Sequence, residues 1–112
     1  MSLVDRMKES RKVEVVYGEM KFIGRRPTLE EFGKLYNDNA NSYEIAYKFI
    51  NGWEKVKESN LFHGGSDDLV PFSPEIFREF ICDAPNVAEV IRDSLVQALN
   101  QYLSTKEELQ KN

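Results

Sequence analysis

Residues 49–75 read FINGWEKVKESNLFHGGSDDLVPFSPE and separate two halves of the chain that both show helical periodicity. The stretch holds the only tryptophan, Trp53, the only histidine, His63, half of the glycines and two of the four prolines. Glycine permits backbone angles that other residues avoid, whereas proline fixes φ and removes a hydrogen-bond donor. This composition predicts a hinge between the two halves, with a loop region over residues 53–72.

An N-terminal β-hairpin is predicted over residues 12–26. Apolar side chains recur there at every second position on each side of Gly18-Glu19, namely at Val13, Val15, Tyr17, Met20 and Phe22. A glycine in the first position of a two-residue turn favours the type II′ hairpin. In residues 1–11, the spacing of Leu3, Val4 and Met7 predicts a short helix. Two strands alone are marginally stable, so the hairpin must pack against helices or another subunit.

Two helices are predicted over residues 28–52. Thr28 and Glu31 have the spacing of a capping box, and Asn41 and Glu44 repeat this signal for a second helix. The predicted apolar stripes are Leu29, Phe32, Leu35 and Tyr36 in the first helix and Tyr43, Ala46, Tyr47 and Ile50 in the second. Gly52 suits the C-terminal cap of the second helix, because glycine tolerates the left-handed conformation.

Two more helices are predicted over residues 73–109. Ser73-Pro74 is a strong helix start. Its predicted buried side has four apolar residues, Ile76, Phe77, Phe80 and Ile81. Pro85 starts the last and longest helix, whose polar end at residues 104–112 is expected to fray or to dock only on a partner. These patterns predict one domain over residues 1–112 with an α+β, mainly helical fold, in which the short hairpin packs against about four helices.

Charge and composition exclude several classes of protein. The net charge is -4; residues 1–26 carry seven Lys/Arg against four Asp/Glu, and the remainder carries eight against fifteen. Nucleic-acid binding needs clustered cations, so this chain is not expected to bind nucleic acid. The pair Arg25-Arg26 is interpreted as a solvated strand end beside acidic helix starts. No apolar run approaches the roughly 18 residues that span a bilayer. A single cysteine and an N-terminus without an apolar core predict a cytoplasmic protein.

No cluster in the sequence has the composition of a catalytic or metal site. His63 with Asp67-Asp68 lacks the ligand number and spacing of a zinc site, so a solvated loop is predicted there. Cys82 lies among apolar residues with no second histidine to activate it, so a buried, inert thiol is expected. The sequence has no phosphate-binding loop, dinucleotide-binding motif or nucleophile elbow. We therefore expect no enzymatic activity, cofactor or metal.

The aromatic side chains leave two interpretations open. Large aromatic residues dominate protein cores, and core packing explains them without any partner. Alternatively, some of them form an exposed apolar groove that holds a helix or strand of another protein. The candidate partner-binding residues are Tyr43, Tyr47, Phe49, Trp53, Phe62 and Phe72.

The order of these features resembles the tail assembly chaperones of long-tailed bacteriophages and prophages. The resemblance covers nearly the whole chain and rests on Arg25-Arg26-Pro27-Thr28 after the hairpin, on INGWEKV at residues 50–56 and on VPFSPE at residues 70–75. It implies that the chain binds the tape measure protein, a long and largely helical polypeptide, and keeps it soluble until tail tube subunits polymerise around it. The expected partners are the tape measure protein or other phage tail proteins, and further copies of the chain in a homo-oligomer. The resemblance implies no cofactor and no catalytic residue.

Two alternatives remain. One is a structural tail or head-tail component that adds its hairpin to a neighbour's sheet and forms an oligomeric ring. The other is a small DNA-binding regulator with a helix pair, which the acidic charge balance disfavours. A very long coiled-coil gene immediately downstream would favour the chaperone, whereas a neighbouring portal or capsid gene would favour the structural component.

Overall fold

The computed structural model describes the backbone of residues 1–111 and the side chains of residues 1–107. Within this range the chain forms six helices and one three-stranded sheet. The elements are α1 (Leu3–Glu9), β1 (Lys12–Tyr17), β2 (Met20–Arg25), α2 (Leu29–Asn37), α3 (Ser42–Phe49), β3 (Ile50–Glu54), α4 (Glu58–Leu61), α5 (Pro74–Ile81) and α6 (Pro85–Lys111). The predicted α+β, mainly helical fold with an N-terminal hairpin is confirmed. Asn112, at the end of the polar tail, lies outside the described residues.

The hairpin of β1 and β2 forms as the alternation predicts. The strands are antiparallel, with Tyr17 opposite Met20 across the turn. Gly18 has a φ of 59°, while Glu19 does not have a positive φ, and this combination excludes a type I′ turn and fits type II′. Phe22 is fully buried on the inner face of the sheet. The hairpin therefore gains the apolar packing that two strands alone would lack.

The third strand corrects the predicted end of the second helix. α3 stops at Phe49, and β3 pairs antiparallel with β2, so Ile50 and Gly52 are strand residues instead of helix and cap residues. The register shifts next to Gly24, where a Cβ atom would collide with the carbonyl oxygen of Phe49. The missing side chain lets the end of α3 approach β2 directly, so the chain leaves the helix already placed for pairing.

The predicted loop region over residues 53–72 contains ordered structure. It includes the end of β3 and the single turn of α4, and it then folds back on itself. The amide of Val70 donates to the carbonyl oxygen of Val56 at 2.8 Å, and the amide of Glu58 donates to the carbonyl oxygen of Asp68 at 3.0 Å. The stretch therefore joins α3 to α5 through a strand and a closed loop. Hinge motion within it stays a prediction.

An aromatic cluster joins the sheet to α3 and α5. The ring centroid of Phe77 on α5 lies 5.9 Å from Phe22, 6.2 Å from Trp53 and 5.9 Å from Phe72. Tyr47 of α3 completes the cluster at 6.5 Å from Phe77, with the two rings nearly perpendicular. Edge-to-face pairs of this kind stabilise a core beyond the burial of their area. The cluster therefore packs Phe22 and Trp53 of the sheet against Phe77 of α5.

The last helix is continuous over its full length. Its buried stripe packs against α3 and β1 and consists of Val87, Ala88, Ile91, Leu95 and Leu99. Residues 104–111 continue the helix, although their polar composition predicts fraying. The backbone hydrogen bonds of a helix are internal, so it can extend beyond the part that packs.

The end of β2 is less solvated than the sequence predicts. Arg26 is only 7% exposed; its guanidinium lies 3.9 Å from the ring centroid of Tyr102 and donates to the carbonyl oxygen of Pro27 at 3.0 Å. Arg25 forms a bidentate pair with Glu31 at the start of α2, at 2.7 and 2.8 Å. The prediction of a solvated strand end is wrong for Arg26, because an aromatic ring and a carbonyl replace its water.

Candidate protein-binding groove

The candidate site is a surface groove between α4 and α5, which we call the α4–α5 groove. It has a volume of about 500 Å³. Its apolar lining consists of Leu61, Phe62, Val70, Ile76 and Phe80, and its acidic lining of Glu58, Glu79 and Asp83. A concave apolar surface with a few charged groups is typical of a binding site.

Two local features hold the groove in shape. The indole Nε1 of Trp53 donates to the carbonyl oxygen of Val70 at 2.7 Å. This bond ties Val70, which lines the groove, to the core. Gly65 lies so close to α4 that a Cβ atom would be 2.6 Å from the carbonyl oxygen of Glu58. Only glycine allows the loop to close this tightly on α4. The wall formed by α4 is therefore positioned by backbone contacts.

Apolar side chains remain open to solvent in the groove. Phe62 is 56% exposed and Ile76 is 38% exposed. α4 has only four residues and buries none of them, while α5 buries Phe77 and Ile81 and turns Ile76 and Phe80 toward the groove. The core therefore covers only one side of the apolar stripe of α5, and the other side lines the groove.

Carboxylates lie on both walls of the groove. Glu58 belongs to α4, and Glu79 and Asp83 belong to α5 and the turn after it. Among the described residues that line the groove, none is Lys, Arg or His. One oxygen of the Glu58 carboxylate accepts the amide of Ser66 at 3.1 Å, which holds this side chain against the loop. The lining of the groove therefore carries a net negative charge, which favours cationic ligands.

Four of the six predicted partner-binding residues lie at or near the surface. Phe62 lines the groove, Tyr47 and Phe72 are half-buried members of the aromatic cluster, and Tyr43 is half-buried on α3. The guanidinium of Arg78 covers the ring of Tyr47 at 4.0 Å from its centroid. These residues are not gathered into one site, because only Phe62 reaches the α4–α5 groove.

The other two predicted residues belong to the core. Phe49 is 1% exposed and Trp53 is 8% exposed. Phe49 lies at the junction of α3 and β3, and the indole of Trp53 packs edge to face on Phe72 at 5.2 Å. A partner would have to open the core to contact either side chain. Both are therefore core residues of this chain, which argues against direct contact with a partner, and their role in partner binding stays a prediction.

The remaining apolar residues of the groove are absent from the predicted set. They are Leu61, Val70, Ile76 and Phe80. The sequence assigns Ile76 and Phe80 to the buried side of α5, but α5 buries only Phe77 and Ile81, and Ile76 is 38% exposed, so that prediction is wrong for Ile76. The position of Val70 depends on contacts with residues distant in sequence, so no local pattern reveals it.

The structure also places Cys82 differently from its prediction. The thiol of Cys82 is exposed, so the predicted burial is wrong; it lies at the C-terminal cap of α5, next to buried Ile81, and its Sγ contacts the carbonyl oxygen of Glu79 at 3.2 Å. Over the described part of the chain, no group of three or more His, Cys, Asp or Glu side chains is placed to hold a metal ion. Within the same part, no helix is long and apolar enough to cross a membrane.

Comparisons with protein-family models, with curated proteins and with solved structures found no match to this chain. The functional interpretation therefore depends on the groove and on the resemblance in sequence.

Proposed function

We propose that this chain is a noncovalent binding protein that holds an amphipathic helix of another protein in the α4–α5 groove. The observation that carries the proposal is the exposed apolar floor of the groove between two acidic walls. Grooves of this kind receive the apolar face of a helix through residues at i, i+3, i+4 and i+7. The action is binding alone, without a cofactor or a catalysed reaction.

The charge of the groove defines the kind of helix that it accepts. Glu58 stands on one wall, and Glu79 and Asp83 stand on the other. A suitable helix has an apolar stripe with Lys or Arg on each side of it, since opposite charges speed association and exclude anionic competitors. Helices with acidic flanks are rejected by like-charge repulsion.

The resemblance to tail assembly chaperones supplies a candidate for the bound protein. In that role the chain acts in the cytoplasm of a bacterial host and binds helical segments of the tape measure protein before the tail tube polymerises around it. The net charge of -4 supports this role, because a charged chaperone keeps the complex soluble.

Co-expression with the tape measure protein tests the proposal. We expect the two proteins to co-purify and the tape measure protein to move into the soluble fraction. Phe62→Ser with Ile76→Ser should abolish this effect, since both side chains are exposed in the groove. Tyr36→Ser is the matched control, because Tyr36 is 76% exposed outside the groove. If the tape measure protein stays insoluble with the unaltered chain, the proposal fails.

A structural ring component is the second candidate, and the sheet favours it. β1 and β3 each pair only with β2 among the described strands, so both edges of the sheet can accept a further strand. In this role the chain would build rings through strand addition instead of binding a client helix. Protein that forms rings alone and does not change the solubility of the tape measure protein would support this second candidate.

A further inference from the structure

The N-terminal helix α1 has an apolar face that its own chain does not cover. Leu3, Val4 and Met7 are 67%, 58% and 51% exposed, and no residue of the helix is buried. They form one stripe, because successive residues are turned by about 100° around the axis. An amphipathic helix normally turns such a stripe toward the core of its own protein.

α1 instead turns its polar side toward the sheet of its own chain. The cavity between α1 and the sheet is lined from the helix by Asp5, Lys8 and Glu9, together with Met1, and from the sheet by residues around Gly24. The three residues of the apolar stripe do not line it. The helix therefore lies with polar residues toward its own chain and with its stripe toward solvent.

The charges on α1 match the walls of the α4–α5 groove. At about 100° per residue, Arg6 and Lys8 lie on the two sides of the apolar stripe, roughly 90° to 110° from its centre. Asp5 and Glu9 lie on the opposite side of the helix. A helix inserted by its apolar stripe therefore brings a cation to each wall and keeps both of its carboxylates away from the acidic lining.

We propose that α1 of one copy of this chain occupies the α4–α5 groove of a second copy. α1 contributes no lining residue to the groove of its own chain, so that groove remains open to α1 of a second copy. Each copy therefore has one α1 that another copy can bind and one α4–α5 groove that can bind α1 of another copy. The contact is heterologous, and repeated contacts produce a closed ring or an open chain.

The proposal uses the same groove as the proposed function but needs no client. A helix of a client protein would compete with α1, so binding of the client would separate the copies. The two ideas fail separately. A purified chain that never self-associates overturns this inference alone, whereas failure to co-purify with the tape measure protein overturns the proposed function alone.

Light scattering after size-exclusion chromatography of the purified full chain tests the inference. The mass should rise above the 13.0 kDa monomer as protein concentration increases, and it should fall as salt screens the charges. Val4→Glu with Met7→Glu should leave a monomer, and so should Phe62→Glu with Ile76→Glu. All four positions are exposed, so folding should be retained, as circular dichroism will check. Glu9→Gln, on the opposite side of α1, should associate like the unaltered chain.

Mixing the two monomeric variants gives the decisive result. The α1 variant keeps an intact groove and the groove variant keeps an intact α1, so the mixture should form a dimer of roughly twice 13.0 kDa and nothing larger. A mixture that stays monomeric overturns the proposal, as does an unaltered chain that is monomeric at every concentration. A monomer whose α1 instead binds vesicles of anionic phospholipid would also overturn it and would assign the stripe to membranes.

Discussion

Trp53 connects three parts of the molecule through one side chain. Its ring packs on Phe22 of β2, on Phe77 of α5 and on Phe72, and its Nε1 donates to the carbonyl oxygen of Val70. Replacing it by Ala should lower the free energy of unfolding by about 3 to 5 kcal/mol, as for other large buried aromatic residues. Denaturation in urea, followed by circular dichroism, measures this change.

Trp53→Phe is the matched variant for this experiment. It keeps an aromatic ring in the cluster but removes the donor to Val70. We expect a smaller loss of stability than in Trp53→Ala, of which about 1 kcal/mol comes from the hydrogen bond. An alanine variant as stable as the unaltered chain would show that the indole is not a core residue.

Glu31 makes stability depend on pH. The bidentate hydrogen bonds from Arg25 hold its pKa at about 2, well below the ordinary value of 4.5, against an opposing effect of burial. Because the pKa is lower in the folded state, its contribution to stability is complete above about pH 4.5 and is lost as the pH falls toward 2. The free energy of unfolding should therefore decrease over this window.

Glu31→Gln isolates that contribution. Glutamine can still accept the amide of Thr28, which Glu31 now accepts at 3.0 Å, but it has no charge for Arg25. The variant should be less stable than the unaltered chain at pH 7, and the difference should shrink between pH 4.5 and 2. Urea denaturation at several pH values measures both curves, and parallel curves would contradict the assignment.

At the scale of elements, the contact between α3 and β2 depends on Gly24. A Cβ atom there would collide with the backbone carbonyl oxygen of Phe49, the last residue of α3. Gly24→Ala should therefore lower the free energy of unfolding by about 1 to 3 kcal/mol or more, because backbone has to move. Thermal denaturation measures the loss.

Gly33 provides an internal control for that substitution. It lies within α2, and a Cβ atom there meets nothing within 4 Å. Gly33→Ala should raise stability by up to about 1 kcal/mol, since alanine favours the helix. If both variants lose stability equally, the clash at Gly24 is not the cause.

The sequence predicts the elements whose signals are local. The type II′ turn at Gly18 and the capping box at Thr28 each lie within a few residues, and both occur in the structure. The sequence does not predict β3, because Ile50 and Trp53 are its only buried residues and they leave no alternation to detect. Its pairing depends on the edge of β2, about 30 residues earlier in the chain.

At the scale of the whole molecule, the candidate site is harder to predict than the fold. Aromatic residues suit cores and interfaces equally, so residue type does not separate Trp53 in the core from Phe62 in the groove. The acidic walls are contributed by Glu58 and Glu79, which are brought together only by the return of the loop. The sequence shows the apolar stripe of α1, but it does not show that the stripe faces solvent.

The hydrogen bond between Trp53 and Val70 has an optical consequence. Trp53 is the only tryptophan of the chain, and its indole is bonded to a residue that lines the α4–α5 groove. Its fluorescence should therefore change when a helix enters the groove, without any added label. Phe62→Ser with Ile76→Ser should keep the native emission and lose the response to the tape measure protein, whereas Tyr36→Ser should keep both. A response that survives in the groove variant would place the binding surface elsewhere.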